Sequence, residues 1–148
     1  MSFEKPPELA DYYAVAQIPV QWGDMDSFQH VNNTVYLRWF ESSRVEYLSA
    51  AKLDGVMAET GTGPILYSVQ CNFRRQVRFP DTMLVGAKAT RLGGTSIRIG
   101  HAIYSMEQKQ IVADGESGVV YFDYKNQQAI RIPDDIRELI QKFEGHEV

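Results

Sequence analysis

The sequence predicts an α+β fold in which an antiparallel sheet wraps around one long helix. The predicted helix, at 34–53, carries apolar residues on more than one side, which indicates burial on several faces. Four strand-like segments follow it with no helix between them, so they are neighbours along the chain. A short amphipathic helix begins at Pro133 and ends the pattern.

The first half of the chain holds one strand, a polar loop and the central helix. Even positions are apolar from 13 to 22, which is the period of a half-buried strand. Asn32 or Asn33 is expected to be the N-cap of the helix, because a short polar side chain accepts hydrogen bonds from the first free N–H groups. Gly55 is expected to end the helix as a left-handed terminator.

The second half is dominated by alternation of apolar and polar residues, which is typical of strands. Turn signals such as Gly93-Gly94 separate the strands. The alternating segments lie at about 65–79, 83–92, 97–103 and 112–124. Residues 1–11 contain two prolines and several charges, and they are predicted to form a loose arm.

The composition narrows the class of protein. A chain of 148 residues predicts a single domain spanning 1–148. The net charge of −4 argues against a nucleic-acid partner. The one cysteine, Cys71, excludes an internal disulfide and fits a reducing compartment. Because no secretory signal and no membrane-spanning apolar stretch is visible, we expect a cytoplasmic protein without a membrane partner.

Side chains that could take part in catalysis cluster at the N-terminal end of the predicted helix. The stretch Trp22–Arg44 reads WGDMDSFQHVNNTVYLRWFESSR. Asp26, His30 and Asn33 fall beside the helix end that offers unpaired N–H groups and the positive end of the dipole. Acids in such a loop are also typical of Asx-turns and caps, so a structural interpretation stands beside the catalytic one.

This stretch resembles the hot-dog-fold thioesterases of the 4-hydroxybenzoyl-CoA thioesterase family. The residues that carry the resemblance are Asp24, Asp26, His30, Val31, Asn32, Asn33, Tyr36, Leu37, Arg38, Trp39, Phe40, Glu41 and Arg44. The turn at 91–96 and the segment 131–133 extend it along the chain. The resemblance implies a five-stranded antiparallel sheet around the central helix. It also implies a homodimer or homotetramer with active sites between subunits.

The resemblance assigns roles to three residues of the loop. Asp26 matches the acid that carries catalysis, and the backbone N–H of Asn33 matches the group that polarises the thioester carbonyl. His30 matches a site histidine of the related acyl-ACP thioesterases. Those relatives place an asparagine where this chain has Phe28, which leaves more of the work to Asp26.

These roles suit thioester hydrolysis to a free acid and CoA. Because the thiol is a good leaving group, the reaction needs an activated nucleophile and an oxyanion donor more than a strong acid. Asp26 qualifies as nucleophile or as general base. Tyr36 is predicted to line the acyl-CoA pocket, and Arg74 and Arg91 are predicted to meet the CoA phosphates. The other basic residues available for that contact are Arg75, Arg78, Lys88 and Arg98. Two alternatives stay open: an acyl-ACP thioesterase, or a hot-dog protein that binds acyl ligands without hydrolysis.

The remaining polar residues of interest receive structural interpretations. Glu41 and Arg44 are one helical turn apart and are expected to pair. His101 lies on an apolar strand face and is interpreted as a core or interface histidine. Since the three histidines show no metal-ligand spacing, no metal site is expected. No other cofactor is expected either, and no nucleotide-binding loop is visible.

Overall fold

The computed structural model describes residues 3–148, so Met1 and Ser2 of the predicted arm lie outside the described residues. The strands are β1 Ala14–Pro19, β2 Thr62–Phe73, β3 Thr82–Leu92, β4 Ser96–Ser105, β5 Gln110–Asp123 and β6 Gln128–Ala129. The α-helices are α1 Asn33–Ala50, α2 Leu53–Thr60 and α3 Asp134–Glu144. None of the helices in the described chain is long and apolar enough to cross a membrane.

All strands join one antiparallel sheet in the order β1-β3-β4-β5-β2, with the short β6 beside β5. The sheet curls around α1, which buries side chains along its whole length: Val35, Tyr36, Trp39, Phe40, Ser43 and Tyr47. The predicted α+β architecture is confirmed. The sheet contains the five expected strands, and β6 adds a sixth that is only two residues long.

The end of the central helix differs from the prediction. The break comes at Lys52, which has a φ of 62°, whereas Gly55 lies inside the additional helix α2. The prediction that Gly55 terminates α1 is therefore wrong. A left-handed lysine is strained, but the turn redirects the chain so that Leu53 and Met57, one helical turn apart, are buried in the core.

The N-terminal segment contacts the sheet through Leu9. Leu9 has no exposed surface and packs with Leu84 and Ala102, on the opposite face of the sheet from the core around α1. The segment predicted as a loose arm is therefore attached to the sheet at Leu9. The physical reason is that β3 and β4 present apolar side chains on this outer face as well, and a short segment with one leucine covers them.

Strand β2 forms a free edge of the sheet and stops earlier than the alternation predicts. The chain leaves the sheet after Phe73, and the backbone C=O of Val77 accepts a hydrogen bond from the N–H of Val31 at 2.8 Å. This bond ties the segment after β2 to the loop before α1. Large apolar side chains of β2 stay exposed along the edge: Ile65, Leu66, Tyr67, Val69 and Phe73.

Candidate active site

The loop that carries Asp26 is closed by its own backbone. Met25 and Val31 form an isolated antiparallel bridge, and the N–H of Asp26 donates to the C=O of His30 at 2.9 Å. Oδ1 of Asp26 accepts from the N–H of Phe28 at 2.9 Å, which is an Asx-turn. No described residue donates to Oδ2 of Asp26. One carboxylate oxygen therefore shapes the loop, and the other is available for chemistry.

Asp24, the first acid of the pair, is structural. Its Oδ2 accepts from the N–H of Gln21 at 2.8 Å, and its C=O accepts from the N–H of Asn32 at 2.9 Å. These bonds cap the short 3-10 turn Trp22–Asp24 and attach it to the residue that caps α1. The two acids thus have different roles: Asp24 holds the conformation of the loop that carries Asp26.

The start of α1 presents an unpaired amide. Asn32 is the N-cap, and its Oδ1 accepts from the N–H of Thr34 at 3.0 Å and from the Thr34 hydroxyl at 2.9 Å. Asn33 is the first helical residue, so its N–H has no partner within the helix. Within residues 3–148, no acceptor takes this N–H. The amide proposed as oxyanion donor is therefore free.

His30 is held by Arg78. Nη2 of Arg78 lies 3.1 Å from Nε2 of His30. Because a guanidinium only donates, Nε2 accepts this hydrogen bond, which leaves Nδ1 as the ring's N–H donor. His30 accordingly offers a single N–H donor, at Nδ1.

A groove of about 420 Å³ collects most of the predicted site residues. Those that line it are Asp26, His30, Asn33, Tyr36 and Arg74. Phe28, Arg75 and Gln76 add further walls. Arg91 is not part of this groove, because it lies near the far end of β3, exposed and opposite Arg98 of β4.

Tyr36 forms a fixed wall of the groove. It is 2% exposed, and its hydroxyl donates to the backbone C=O of Arg75 at 3.1 Å. Burial raises its pKa to about 12, so the phenol is neutral at physiological pH. Its ring packs edge-on against Phe73 with 5.1 Å between centroids. Tyr36 thereby sets the groove's shape and links α1 to the end of β2.

The two adjacent arginines of the groove differ in their engagement. Arg74 makes a two-pronged pair with Asp114, with Nε at 2.6 Å from Oδ2 and Nη2 at 3.0 Å from Oδ1. These bonds raise the pKa of Arg74 and lower that of Asp114. The guanidinium of Arg75 contacts no acceptor among the described residues. Arg75, one of the basic residues available from the sequence, therefore lines the groove with a guanidinium that has no bound acceptor.

A chain of buried polar groups runs beneath the middle of α1. Nδ1 and Nε2 of His101 lie 2.8 Å from the hydroxyls of Ser43 and Ser117, and Nη1 of Arg44 donates to Ser117 at 2.9 Å. His101 is 1% exposed, and burial, followed by the charge of Arg44, lowers its pKa to about 3. The interpretation of His101 as a satisfied core histidine is confirmed.

The expected pair between Glu41 and Arg44 is not formed. Residues 3–148 contain two ion pairs, Arg74–Asp114 and Arg98–Glu116, and neither involves Arg44. Arg44 instead turns toward the sheet and bonds to Ser117, because the buried serine offers an acceptor that solvent cannot compete for.

Taken together, Asp26 with a free carboxylate oxygen and Asn33 with an unpaired amide line one groove, which makes the groove a candidate hydrolase site. Residues 20–140 match the thioesterase-like superfamily. This match covers most of the chain, and the chain belongs to that superfamily.

Individual relatives agree with this assignment. The long-chain acyl-CoA thioesterase FadM of Escherichia coli K12 is 27% identical over 127 residues, covering 86% of this chain and 96% of FadM. The PA2801 protein of Pseudomonas aeruginosa is 31% identical with a TM-score of 0.76, covering 87% of this chain and 98% of that one. The protein is thus a thioester hydrolase with the hot-dog fold.

A further structure supports the fold. A thioesterase from Thermus thermophilus, solved in complex with coenzyme A and zinc, has a TM-score of 0.81 and 23% identity. The similarity covers 93% of this chain and 98% of that one.

Proposed function

We propose that this protein hydrolyses an acyl-CoA thioester to a free acid and CoA, with Asp26 as the nucleophile or the general base. The observation that carries the proposal is that the free oxygen of Asp26 and the unpaired N–H of Asn33 belong to one groove. The relative FadM, an acyl-CoA thioesterase, supports the choice of substrate class.

The proposed chemistry follows from these two groups. As nucleophile, Asp26 bonds to the thioester carbonyl carbon, the C–S bond breaks, and water then hydrolyses the mixed anhydride. As general base, Asp26 takes a proton from the water that attacks the carbonyl. In both routes negative charge grows on the carbonyl oxygen, and the N–H of Asn33 stabilises it. Loss of one such donor typically costs about 3 kcal/mol in the transition state.

His30 is proposed as an orienting group. Because Arg78 occupies Nε2, the ring has Nδ1–H left to donate to water or to a carboxylate. Its role is to hold a reacting oxygen in place.

An assay of Asp26→Asn tests the assignment. The amide retains an oxygen that accepts from the N–H of Phe28, so the loop is preserved while the nucleophile and base are lost. We expect kcat for thiol release from octanoyl-CoA to fall roughly 10³-fold, while urea unfolding stays unchanged. Asp134→Asn, on the exposed start of α3, is the matched control and should retain full activity. Full activity in Asp26→Asn would contradict the proposal.

The carrier is proposed to be CoA, with acyl-ACP as the alternative. The net charge of −4 does not favour docking of an acidic carrier protein. Rates on matched octanoyl-CoA and octanoyl-ACP decide between the two. A kcat/KM that is higher for the acyl-ACP would replace the CoA assignment.

We also propose that the protein forms a homodimer, or a homotetramer built from it, by pairing β2 of two copies. β2 is a free edge whose backbone can accept another strand, and its apolar side chains are exposed. A monomeric mass by light scattering at micromolar concentration would contradict this arrangement.

A further inference from the structure

We propose that a second pocket, between α1 and β2, binds the carboxylate end of an apolar ligand, with Arg44 as its anchor. This pocket has a volume of about 220 Å³ and is separate from the groove of Asp26. Apolar side chains form most of its lining: Val45, Leu48, Leu66, Ile99 and Val119. Arg44 and Glu41 are the charged residues that join them.

The guanidinium of Arg44 is incompletely paired in this apolar setting. Nη1 donates to the hydroxyl of Ser117 at 2.9 Å, and no other acceptor among the described residues takes its remaining N–H groups. Burial lowers its pKa, because desolvation disfavours the charged form. A carboxylate that met the free N–H groups would offset this cost, and a planar guanidinium suits a carboxylate in a two-pronged geometry.

The direction of Arg44 is fixed by a chain of hydrogen bonds with one consistent arrangement of protons. The Ser43 hydroxyl donates to the C=O of Phe40 at 2.8 Å, so it accepts from Nδ1–H of His101. Nε2 of the neutral ring then accepts from the Ser117 hydroxyl at 2.8 Å. Ser117 is left with lone pairs that can only accept, and it receives the N–H of Arg44. Ser43, His101 and Ser117 are each satisfied in this arrangement, and one N–H of Arg44 is held by Ser117 while the others stay free at the pocket.

Glu41 does not neutralise Arg44 in place. It is exposed at the rim of the pocket and forms no ion pair within the described chain. Its charge raises the pKa of Arg44, but less than burial lowers it. The pocket therefore combines alkyl surface with the Arg44 guanidinium and keeps Glu41 at its exposed rim, so Arg44 can bind the carboxylate of an alkyl ligand.

Two sources could supply this ligand chemistry. One is the free acid that the proposed reaction releases, and the other is an acyl group that carries a second carboxylate at its far end. The site itself does not depend on the proposed function, whereas the choice of source rests on it.

Binding of octanoate and 1-octanol to the full chain, measured by titration calorimetry, tests the site. The probes share an alkyl chain and differ in the end group. We expect octanoate to bind roughly tenfold more tightly, and Arg44→Met to remove that difference. Arg38→Met, on the exposed side of the same helix, should change neither affinity. Glu41→Gln should tighten octanoate binding, because it removes a like charge at the rim.

Equal affinity for the two probes, or an octanoate affinity that Arg44→Met leaves unchanged, would overturn the proposal. If Arg44→Met does not fold, Ser117→Ala tests the same role of Arg44 in binding the carboxylate. That variant keeps the charge but removes the hydrogen bond that aims it, so octanoate should bind several-fold more weakly, with octanol unchanged.

Hydrolysis of hexanoyl-CoA and adipoyl-CoA separates the two sources, since adipoyl-CoA adds a terminal carboxylate. A lower KM for adipoyl-CoA that disappears in Arg44→Met assigns the pocket to the acyl group. Equal KM values, with octanoate still bound by Asp26→Asn, assign it to the free acid. Absence of any thioester hydrolysis would count against the proposed function alone, because the octanoate titration needs no turnover.

Discussion

At the scale of single residues, two residues adjacent in sequence can have different roles, because their hydrogen-bond partners lie far away in the chain. Arg74 and Arg75 are adjacent, yet only Arg74 forms an ion pair with Asp114, which lies forty residues further along the chain. Arg75 lines the groove, and its guanidinium has no acceptor among the described residues. Anionic groups of a thioester carrier would meet Arg75 without first having to break an existing ion pair.

Arg75→Ala should therefore raise KM for octanoyl-CoA roughly tenfold with little change in kcat. The same variant should hydrolyse octanoyl-pantetheine, which lacks the phosphates, with an unchanged KM. Arg74→Ala should affect KM less, because Asp114 already holds that charge. Arg131→Ala, exposed and outside the groove, is the control. An equal rise in KM for both thioesters would show that Arg75 shapes the groove instead of binding phosphate.

His101 makes stability depend on pH in a direction that its surroundings determine. Its pKa is about 3 in the folded chain and near 6.5 when unfolded, so between these values the unfolded chain binds more protons. Stability from this group is therefore complete above about pH 6.5 and falls as the pH drops toward 3. Between pH 7 and pH 5 the loss is about 2 kcal/mol.

Urea unfolding of wild type and His101→Asn at the two pH values measures this contribution. The variant should be less stable at pH 7, because Ser43 and Ser117 lose well-placed partners. It should lose about 2 kcal/mol less than wild type on acidification to pH 5. Identical pH dependence in both proteins would show that His101 does not titrate on unfolding as described.

The catalytic candidates were predictable from sequence because they depend on local geometry. Asp26, His30 and Asn33 lie within eight positions, and one loop and one helix start bring them together. The division between Asp24 and Asp26 is set by hydrogen bonds to individual oxygens, which a spacing pattern does not contain. The difference between Arg74 and Arg75 and the pairing of Arg44 depend on distant partners, Asp114 and Ser117, so the sequence did not distinguish them.

At the scale of elements, the C-terminal helix is attached to the sheet by a buried acid. β3 extends past the start of β1, since their last pair is Ala14 with Ala87. Oε2 of Glu144 accepts from the N–H of Ala89 at 2.9 Å and from the hydroxyl of Tyr47 at 2.7 Å. Glu144 thus joins α3 to both β3 and α1.

Removing this acid should loosen α3. Glu144→Ala leaves two buried donors without an acceptor, so the free energy of unfolding should fall by about 3 kcal/mol in urea titrations. Glu138→Ala changes an exposed acid on the same helix and should stay within about 0.5 kcal/mol of wild type. If the two variants were equally stable, the attachment through Glu144 would carry no net free energy.

Elements were predictable where one period persists over many residues. Alternation revealed the strands, and Pro133 with two following acids marked α3. The eight residues of α2 were too few to separate from the end of α1, and the break falls on Lys52, a residue without turn preference. The attachment of Leu9 to the sheet was not predicted, because it depends on an outer sheet face that no local pattern describes.

At the scale of the whole molecule, the proposed pairing through β2 has a consequence for the active site. The groove lies at the Phe73 end of this strand, and the pocket of Arg44 lies near its Leu66 end. A two-fold axis through the middle of an antiparallel pair places one end of β2 beside the other end of its partner. Each groove would then adjoin the pocket of the second copy, and the acyl chain would cross between subunits.

Mixing two inactive variants tests this arrangement. Asp26→Asn removes the reactive carboxylate but leaves the pocket open. Val45→Trp narrows the pocket but leaves Asp26 intact. Because Val45 is 61% exposed, the larger side chain does not disturb the core. Each homodimer should be nearly inactive on octanoyl-CoA, and Val45→Trp should retain activity on acetyl-CoA.

A refolded equal mixture should regain about a quarter of wild-type activity, because half of its dimers are mixed and each contains one intact composite site. That site combines Asp26 from one chain with an open pocket from the other. If the groove and pocket of a single chain worked together, each half of the mixed dimer would carry one defect and no activity would return. Light scattering on every sample checks that dimers are present. The recovery of activity then reports whether the acyl chain crosses between subunits.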